Sequence, residues 1–281
     1  MINITYNRKE NQIIVLINEF IHNEHSFPLS VKFVDIVTKN VSYEEQVNKN
    51  TWVTWVGGEV ISNVLIYTND GNLLYEWKWH PMDHGNVIEK LLWVYLKDKQ
   101  NKNISSNGLV IGTHDGRFGH WVYPVVNGMS DAVLIEGGND QYNNLTKNFE
   151  RYTNTSQMNV IVTTDGNPVD WYEGGEGYTN TIKKEHIHKW FNYNEITVSS
   201  KSSMSIMDIM ENERFDWIHM DVEGIDSDLI MSFNYYPNLI ICETMNLNEN
   251  QLKNLEDWFD NNNYKFLNCG ENSIAIKSPN T

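Results

Sequence analysis

Carboxylates can accept protons, bind hydroxyl groups or ligate hard cations, and one short run of this 281-residue chain concentrates them. Residues 215–226 read FDWIHMDVEGID: an apolar half ending at Met220, then Asp221, Glu223 and Asp226 around Gly224. His219 adds a side chain that titrates at about 6.5 when unperturbed, which suits a general base. Period-two alternation puts His219, Asp221 and Glu223 on one side if the strand stays regular that far. Asp221 and His219 are therefore the candidate catalytic groups. A second reading of the acids is a divalent ion held by Asp221, Glu223, Asp226 or Glu243, since oxygen clusters suit Mg²⁺ or Ca²⁺ and can bind a vicinal diol. Helix caps and solvated loops account for clustered acids as well, so the leading expectation is a site without metal.

A second constellation lies upstream. Gly112-Thr113-His114-Asp115-Gly116-Arg117-Phe118-Gly119 lets the backbone turn sharply and lets a ligand approach closely. Its G-x-x-x-G-x-x-G spacing is not the G-x-G-x-x-G dinucleotide fingerprint, which disfavours a nicotinamide oxidoreductase. About twenty residues later the run Ala132-Val133-Leu134-Ile135-Glu136 is a strand ending in an acid, where an α/β nucleotide site needs a carboxylate for ribose hydroxyls. A third strand ends at Thr163-Thr164-Asp165-Gly166. Asp165 either faces the base end of a nucleoside or makes an ordinary turn.

These residues need elements to position them. Residues 215–226 read as buried strand, acidic loop and the start of a helix at Asp226. From residue 109 onward strand and helix patterns alternate, which implies βαβ units and a mainly parallel, Rossmann-like sheet. The strand candidates are Leu109–Ile111, Ala132–Ile135, Met158–Thr163, Asp216–Met220, Leu239–Cys242, Lys265–Leu267 and Ser273–Ile276. The last two are too close for a helical crossover and must pair as a hairpin, so the last strand runs antiparallel. Helices are expected over residues 249–262 and 86–98, with a polar loop or hinge over 97–108. Residues 1 to about 80 carry short β-branched and aromatic runs and a hairpin signal at Thr68-Asn69-Asp70-Gly71-Asn72, so they form a small antiparallel β unit. Its aromatics (Trp52, Trp55, Tyr67, Tyr75, Trp77, Trp79) fill a thin core, or line a cleft or a contact in a homo-oligomer. The expected organisation is that unit over 1–80 and an α/β domain over 81–281.

Composition narrows the partners. Hydrophobic residues at 40% and aromatics at 12% are ample for a packed core. Acids outnumber bases 37 to 21, a net charge of −16, which argues against a nucleic-acid substrate. Two cysteines make neither a disulfide framework nor a zinc cluster, so a reducing, cytoplasmic compartment fits. The N-terminus does not read as a signal peptide, and no run approaches the roughly 18 apolar residues of a membrane span.

Taken together, the segments at 110–116 (VIGTHDG), 134–138 (LIEGG), 144–148 (NLTKN), 208–210 (DIM), 215–224 (FDWIHMDVEG) and 237–243 (PNLIICE) resemble the FkbM family of S-adenosylmethionine-dependent methyltransferases. The resemblance covers roughly residues 105–277 and none of residues 1–80. It implies a seven-stranded class I methyltransferase sheet with its last strand antiparallel, S-adenosylmethionine as cofactor, and O-methylation of a sugar, glycan or other small molecule. Gly112, His114, Asp115 and Gly116 would wrap the methionine part of the cofactor, Glu136 would hold the ribose, Asp165 would lie near the adenine, and Asp221 would face the methyl group. The chain departs from the family at Val110, where an acidic residue is usual, and at His219, where lysine is common. The first departure leaves Asp115 to meet the cofactor's amino group, and makes a catalytically silent binding protein the alternative.

Overall fold

The structure is a computed structural model that describes residues 2–7, 12–17, 29–47, 52–56, 62–78, 86–175, 180–189, 191–192 and 195–278. The N-terminal part forms two antiparallel sheets. Strands β1 (Ile2–Asn7), β2 (Gln12–Ile17) and β5 (Trp52–Val56) make one, and β3 (Leu29–Asp35), β4 (Val41–Val47), β6 (Ser62–Tyr67) and β7 (Leu73–Trp77) make the other, in the order β4-β3-β6-β7. The Thr68–Asn72 turn joins β6 to β7 as expected, closed by Thr68 N donating to Asn72 O at 2.8 Å. Strands β1 and β4 were not foreseen, because their polar residues (Asn3, Thr5, Glu44, Glu45, Gln46) mask the apolar pattern. The side chains of Trp52, Trp55, Trp77 and Trp79 lie outside the described set, and Tyr75 is exposed.

The amphipathic run after residue 86 becomes α1 (Val87–Asn101), which buries Ile88, Leu92 and Leu96. Asn86 accepts from Glu89 N at 2.9 Å while the Glu89 carboxylate accepts from Asn86 N at 2.7 Å, a reciprocal cap. The helix overruns its expected end and takes up the first residues of the presumed loop. Lys97, Asp98, Lys99 and Gln100 cost little in a helix, and the Asp98–Lys102 pair at 2.7 Å supports its last turn.

The remaining elements follow as β8 (Asn107–Ile111), α2 (Val122–Val126), β9 (Asp131–Glu136), α3 (Asn139–Phe149), β10 (Thr155–Asn159), β11 (Ile161–Thr163), β12 (Val169–Gly174), α4 (Lys184–Ile187), β13 (Ile196–Lys201), β14 (Ser203–Ser205), α5 (Ile206–Asn212), β15 (Trp217–Met220), α6 (Asp226–Met231), β16 (Leu239–Glu243), α7 (Glu249–Asn261), β17 (Tyr264–Asn268) and β18 (Asn272–Lys277). A seven-stranded sheet runs β10-β9-β8-β15-β16-β18-β17, with β18 antiparallel to both its neighbours and the other pairings parallel. This is the class I methyltransferase-type, Rossmann-like arrangement. The expected third strand divides: residues 155–159 stay in the sheet, while Ile161–Thr163 turns away to pair with β14. Residues 169–201, which add the antiparallel pair β12–β13, were not read from the sequence because their alternation is weak.

Alternate residues of the parallel strands face two separate helical layers. Leu109, Ile111, Ile135, Ile218, Met220 and Ile240 pack with α5, α6 and α7. Val110, Leu134, Trp217, Leu239 and Ile241 pack with α1, α2 and α3, and there Ile36 and Val37 join from the end of β3. The N-terminal part is tied on by Arg117 Nε donating to Asp35 Oδ2 at 2.7 Å and by Tyr152 OH donating to Val37 O at 2.8 Å. No helix among the described residues is long and apolar enough to cross a membrane.

Asp216 closes the end of the sheet remote from the acidic loop. It accepts from Tyr95 OH (2.8 Å), Lys99 Nζ (2.7 Å), Ser106 Oγ (2.8 Å) and Asn238 Nδ2 (2.7 Å). Burial pushes its carboxyl up, but Lys99 and the other donors outweigh this and hold it below the ordinary carboxylate range. Asp216→Ala strands four donors, and an expected loss of about 3 kcal/mol follows. Urea denaturation measures it, and an unchanged midpoint would count against the hub.

Candidate active site

The parallel strands order the site. The sheet reverses direction of growth between β8 and β15, and ligands of open α/β sheets collect at the carboxyl ends of the strands at such a point. Both constellations read from the sequence end there. Asp221 N donates to Ile111 O at 3.0 Å, and Gly112 N to Ile135 O at 3.0 Å. Gly112 has φ +79°, and a Cβ on it would lie 1.8 Å from the carbonyl oxygen of Asp221. The glycine loop and the acidic loop therefore touch backbone to backbone, which a side chain would prevent.

Glu136 binds that loop in place. Its Oε2 accepts from His114 N and its Oε1 from Gly138 N, each at 2.7 Å. Burial pushes its carboxyl up, and these two backbone donors oppose the shift. Asp115 is half-buried and accepts from Arg117 N at 3.1 Å. Burial raises its pKa, but the hydrogen bond from His114 and the Arg117 amide bring it below the usual value. Asn148 Nδ2 donates to Asp115 O at 2.8 Å, tying the loop to α3, and Gly116 gives space to Leu145 and Phe149. Val110 is fully buried in the layer with α1 to α3, as part of the apolar core.

Asp165 lies apart, exposed, with its carboxylate accepting from Asn167 N at 3.1 Å and Asn167 Nδ2 at 2.7 Å. These bonds hold its pKa low and make it a local turn residue of the kind that competed with the adenine reading. A polar cleft of about 370 Å³, lined by Asn139, Asp140, Gln141, Glu173, Asn180 and Thr197, opens at the start of α3, just beyond Glu136.

The expected alternation of His219, Asp221 and Glu223 is corrected. The strand stops at Met220, and Glu223 has φ +53°, so the chain turns before the third residue. His219 shares the face of Trp217. It is 4% exposed, with its ring 5.8 Å from that of His120. Burial, then the charge of His120, lowers its pKa to about 3. His219 is thus a buried imidazole whose charged form the fold disfavours.

The acids instead gather with residues that sequence reasoning missed. Single carboxylate oxygens of Asp221, Glu223 and Glu243 all lie within 4.8 Å of one another. Glu223 Oε2 meets His186 Nε2 at 2.6 Å, and His186 is buried at the start of α4. No fixed spacing links residues 186 and 223, so only the fold could pair them. Thr181 Oγ1 donates to Glu223 O at 3.0 Å and Lys183 Nζ to Gly224 O at 2.5 Å, pinning the turn. Asp226 starts α6 as expected but is 1% exposed, and burial together with the Glu243 charge pushes it up to about 7.

No family model matches the chain, and none of the curated proteins matches it. Solved structures similar in fold include a precorrin-6y C5,15-methyltransferase from Geobacter metallireducens, 8% identical over 67% of this chain and 88% of that one, with a TM-score of 0.37. An O-methyltransferase from Bacillus cereus in complex with SAH is 11% identical over 68% and 79%, at 0.35. A ribosomal protein L11 methylase from Lactobacillus delbrueckii subsp. bulgaricus is 12% identical over 69% and 82%, also at 0.35. At such scores the superpositions carry no argument, and the strand order with its single antiparallel strand carries the fold.

Proposed function

We propose that the chain is an S-adenosylmethionine-dependent O-methyltransferase of FkbM type, acting on a hydroxyl of a sugar, glycan or other small molecule. The observation that carries this reading is the contact of Gly112 with the Asp221 backbone, with Glu136 on the adjoining strand, at the switch point of the sheet.

The residues present fit the cofactor. Gly112 and Gly116, both at positive φ, bend the loop sharply around Thr113, His114 and Asp115 at the ends of β8 and β9. A carboxylate offers about four acceptor sites, and Glu136 uses two on backbone amides, leaving capacity for ribose hydroxyls. Gly112, His114, Asp115 and Gly116 would hold the methionine part, with Asp115 meeting the amino group that Val110 cannot. S-adenosylmethionine supplies a methyl group activated by its sulfonium. The chain's own work is then to orient the acceptor in line and to take its proton. Asp221 receives that proton on its carboxylate, and the His186–Glu223 pair fixes the wall beside it. The proposed division is a β-rich unit over 1–80 and a catalytic domain over 81–281, with Ile36 and Val37 packing into the α/β core and Asp35 bracing the glycine loop through Arg117.

Calorimetric titration with S-adenosylmethionine and S-adenosylhomocysteine tests the reading, and absence of binding at millimolar ligand would sink it. Glu136→Gln is expected to weaken S-adenosylhomocysteine about tenfold, the worth of roughly one charge-assisted hydrogen bond. Equal affinity in the variant would remove Glu136 from the site. The buried Val110 favours one second reading, a methyltransferase-like protein that binds without catalysis. Cofactor binding with no turnover across sugar and diol panels would support it.

A further inference from the structure

We propose that Asp221, Glu223 and Glu243 form a binding site for one hard divalent cation, of the class of Ca²⁺, Mn²⁺ or Mg²⁺. The three carboxylates come from the ends of β15 and β16 and the turn between β15 and α6, and one oxygen of each lies within 4.8 Å of the other two. Oxygens on opposite sides of a Ca²⁺ ion stand about 4.6–5.2 Å apart and those across Mg²⁺ about 4.0–4.2 Å, so one ion can reach all three with small side-chain adjustments.

A cluster of acids alone would not suffice. The second observation is Glu243 itself, which is 8% exposed, with its Oε2 enclosed and meeting no hydrogen-bond partner among the described residues. Its Oε1 accepts from Asn246 Nδ2, a neutral amide, at 2.9 Å. Asp226, 1% exposed and accepting from Glu243 N at 3.4 Å, also has an enclosed oxygen, Oδ2, with no partner among the described residues. Leaving such oxygens enclosed and unpaired is costly, and a cation held between the carboxylates relieves that cost. The remaining neighbours suit a hard ion. Glu223 is oriented from behind by His186 Nε2, as carboxylate ligands commonly are. Lys183, which reaches the turn from the start of α4, is engaged with Gly224 O and Asp228. On the methyl-transfer reading, on which this clause alone rests, the ion would select acceptors with vicinal hydroxyls, since two adjacent oxygens can chelate it beside Asp221, whose second carboxylate oxygen is left to take the proton.

The test is calorimetric titration of the full chain, stripped with EDTA, with CaCl₂, MnCl₂ and MgCl₂, and with bound Mn²⁺ counted by electron paramagnetic resonance. We expect one ion per chain for at least one of the three. Glu243→Gln and Asp221→Asn should each weaken it tenfold or more, and Asp98→Asn on the exposed side of α1 should leave it unchanged. Circular dichroism checks that the variants fold, and Glu223→Gln replaces either one that does not. No saturable binding at millimolar salt overturns the site. So does binding unaltered by these variants, which would put the ions on the general acidic surface. Neither titration uses S-adenosylmethionine, so loss of cofactor binding with cation binding intact overturns only the methyl-transfer reading, and the converse only the metal site.

Discussion

Gly112→Ala is expected to abolish S-adenosylhomocysteine binding and to lower stability by about 3 kcal/mol or more. Two costs add. Alanine at φ +79° is strained, and its Cβ would sit 1.8 Å from the Asp221 carbonyl oxygen, a backbone atom that no rotamer change can move. The ends of β8 and β15 would have to separate, breaking the Asp221 N to Ile111 O bond and releasing the glycine loop from Glu136. Gly71 separates the two costs: at φ +85° it is as strained, but a Cβ there meets nothing within 4 Å. Gly71→Ala should therefore cost only about 1 kcal/mol and leave the ligand site intact. Urea denaturation and calorimetry on both variants measure the difference. Matching midpoints would mean that the contact between the two loops can relax cheaply.

The legible part of the fold was the part with strong periodicity or a fixed turn. Buried parallel strands such as β16 are continuously apolar, here over Leu239–Cys242, and the closing hairpin betrays its antiparallel strand by the short gap between Leu267 and Ser273. Partner strands with mixed composition, β4, β12 and β13, were not legible, because their pairing is decided by neighbours rather than by their own pattern. At the site, Gly112 and Glu136 were readable because a loop and a strand end carry their own signals. His186 was not, because its role arises from a contact 37 residues away in sequence. The shared side of His219, Asp221 and Glu223 was misread for a related reason. Alternation gives the face a strand residue occupies only while the strand lasts, and the strand ends one residue later.

His219 also carries the largest expected pH effect. Its pKa is about 3 in the fold, against about 6.5 in an unfolded chain. Between those values the unfolded chain binds a proton that the native protein refuses, so stability is fully present above pH 6.5 and is lost as the pH falls toward 3. At pH 5 the loss is about 2 kcal/mol, and it approaches about 5 kcal/mol below pH 3. Asp226 works in the opposite direction. Its pKa is raised to about 7, so the native state holds a proton that the unfolded chain releases, and stability falls as pH rises from about 4 to 7. The two slopes overlap and partly cancel, which makes the wild-type profile flatter than either alone. A single substitution exposes them. His219→Leu removes a buried imidazole whose Nδ1 has no hydrogen-bond partner among the described residues and should leave only the Asp226 slope in this range. Denaturation at pH 8 and pH 5 should show the wild type losing about 2 kcal/mol more than the variant over that interval. Parallel profiles would mean that His219 titrates normally in the fold. In that case the imidazole is reachable by protons despite its burial.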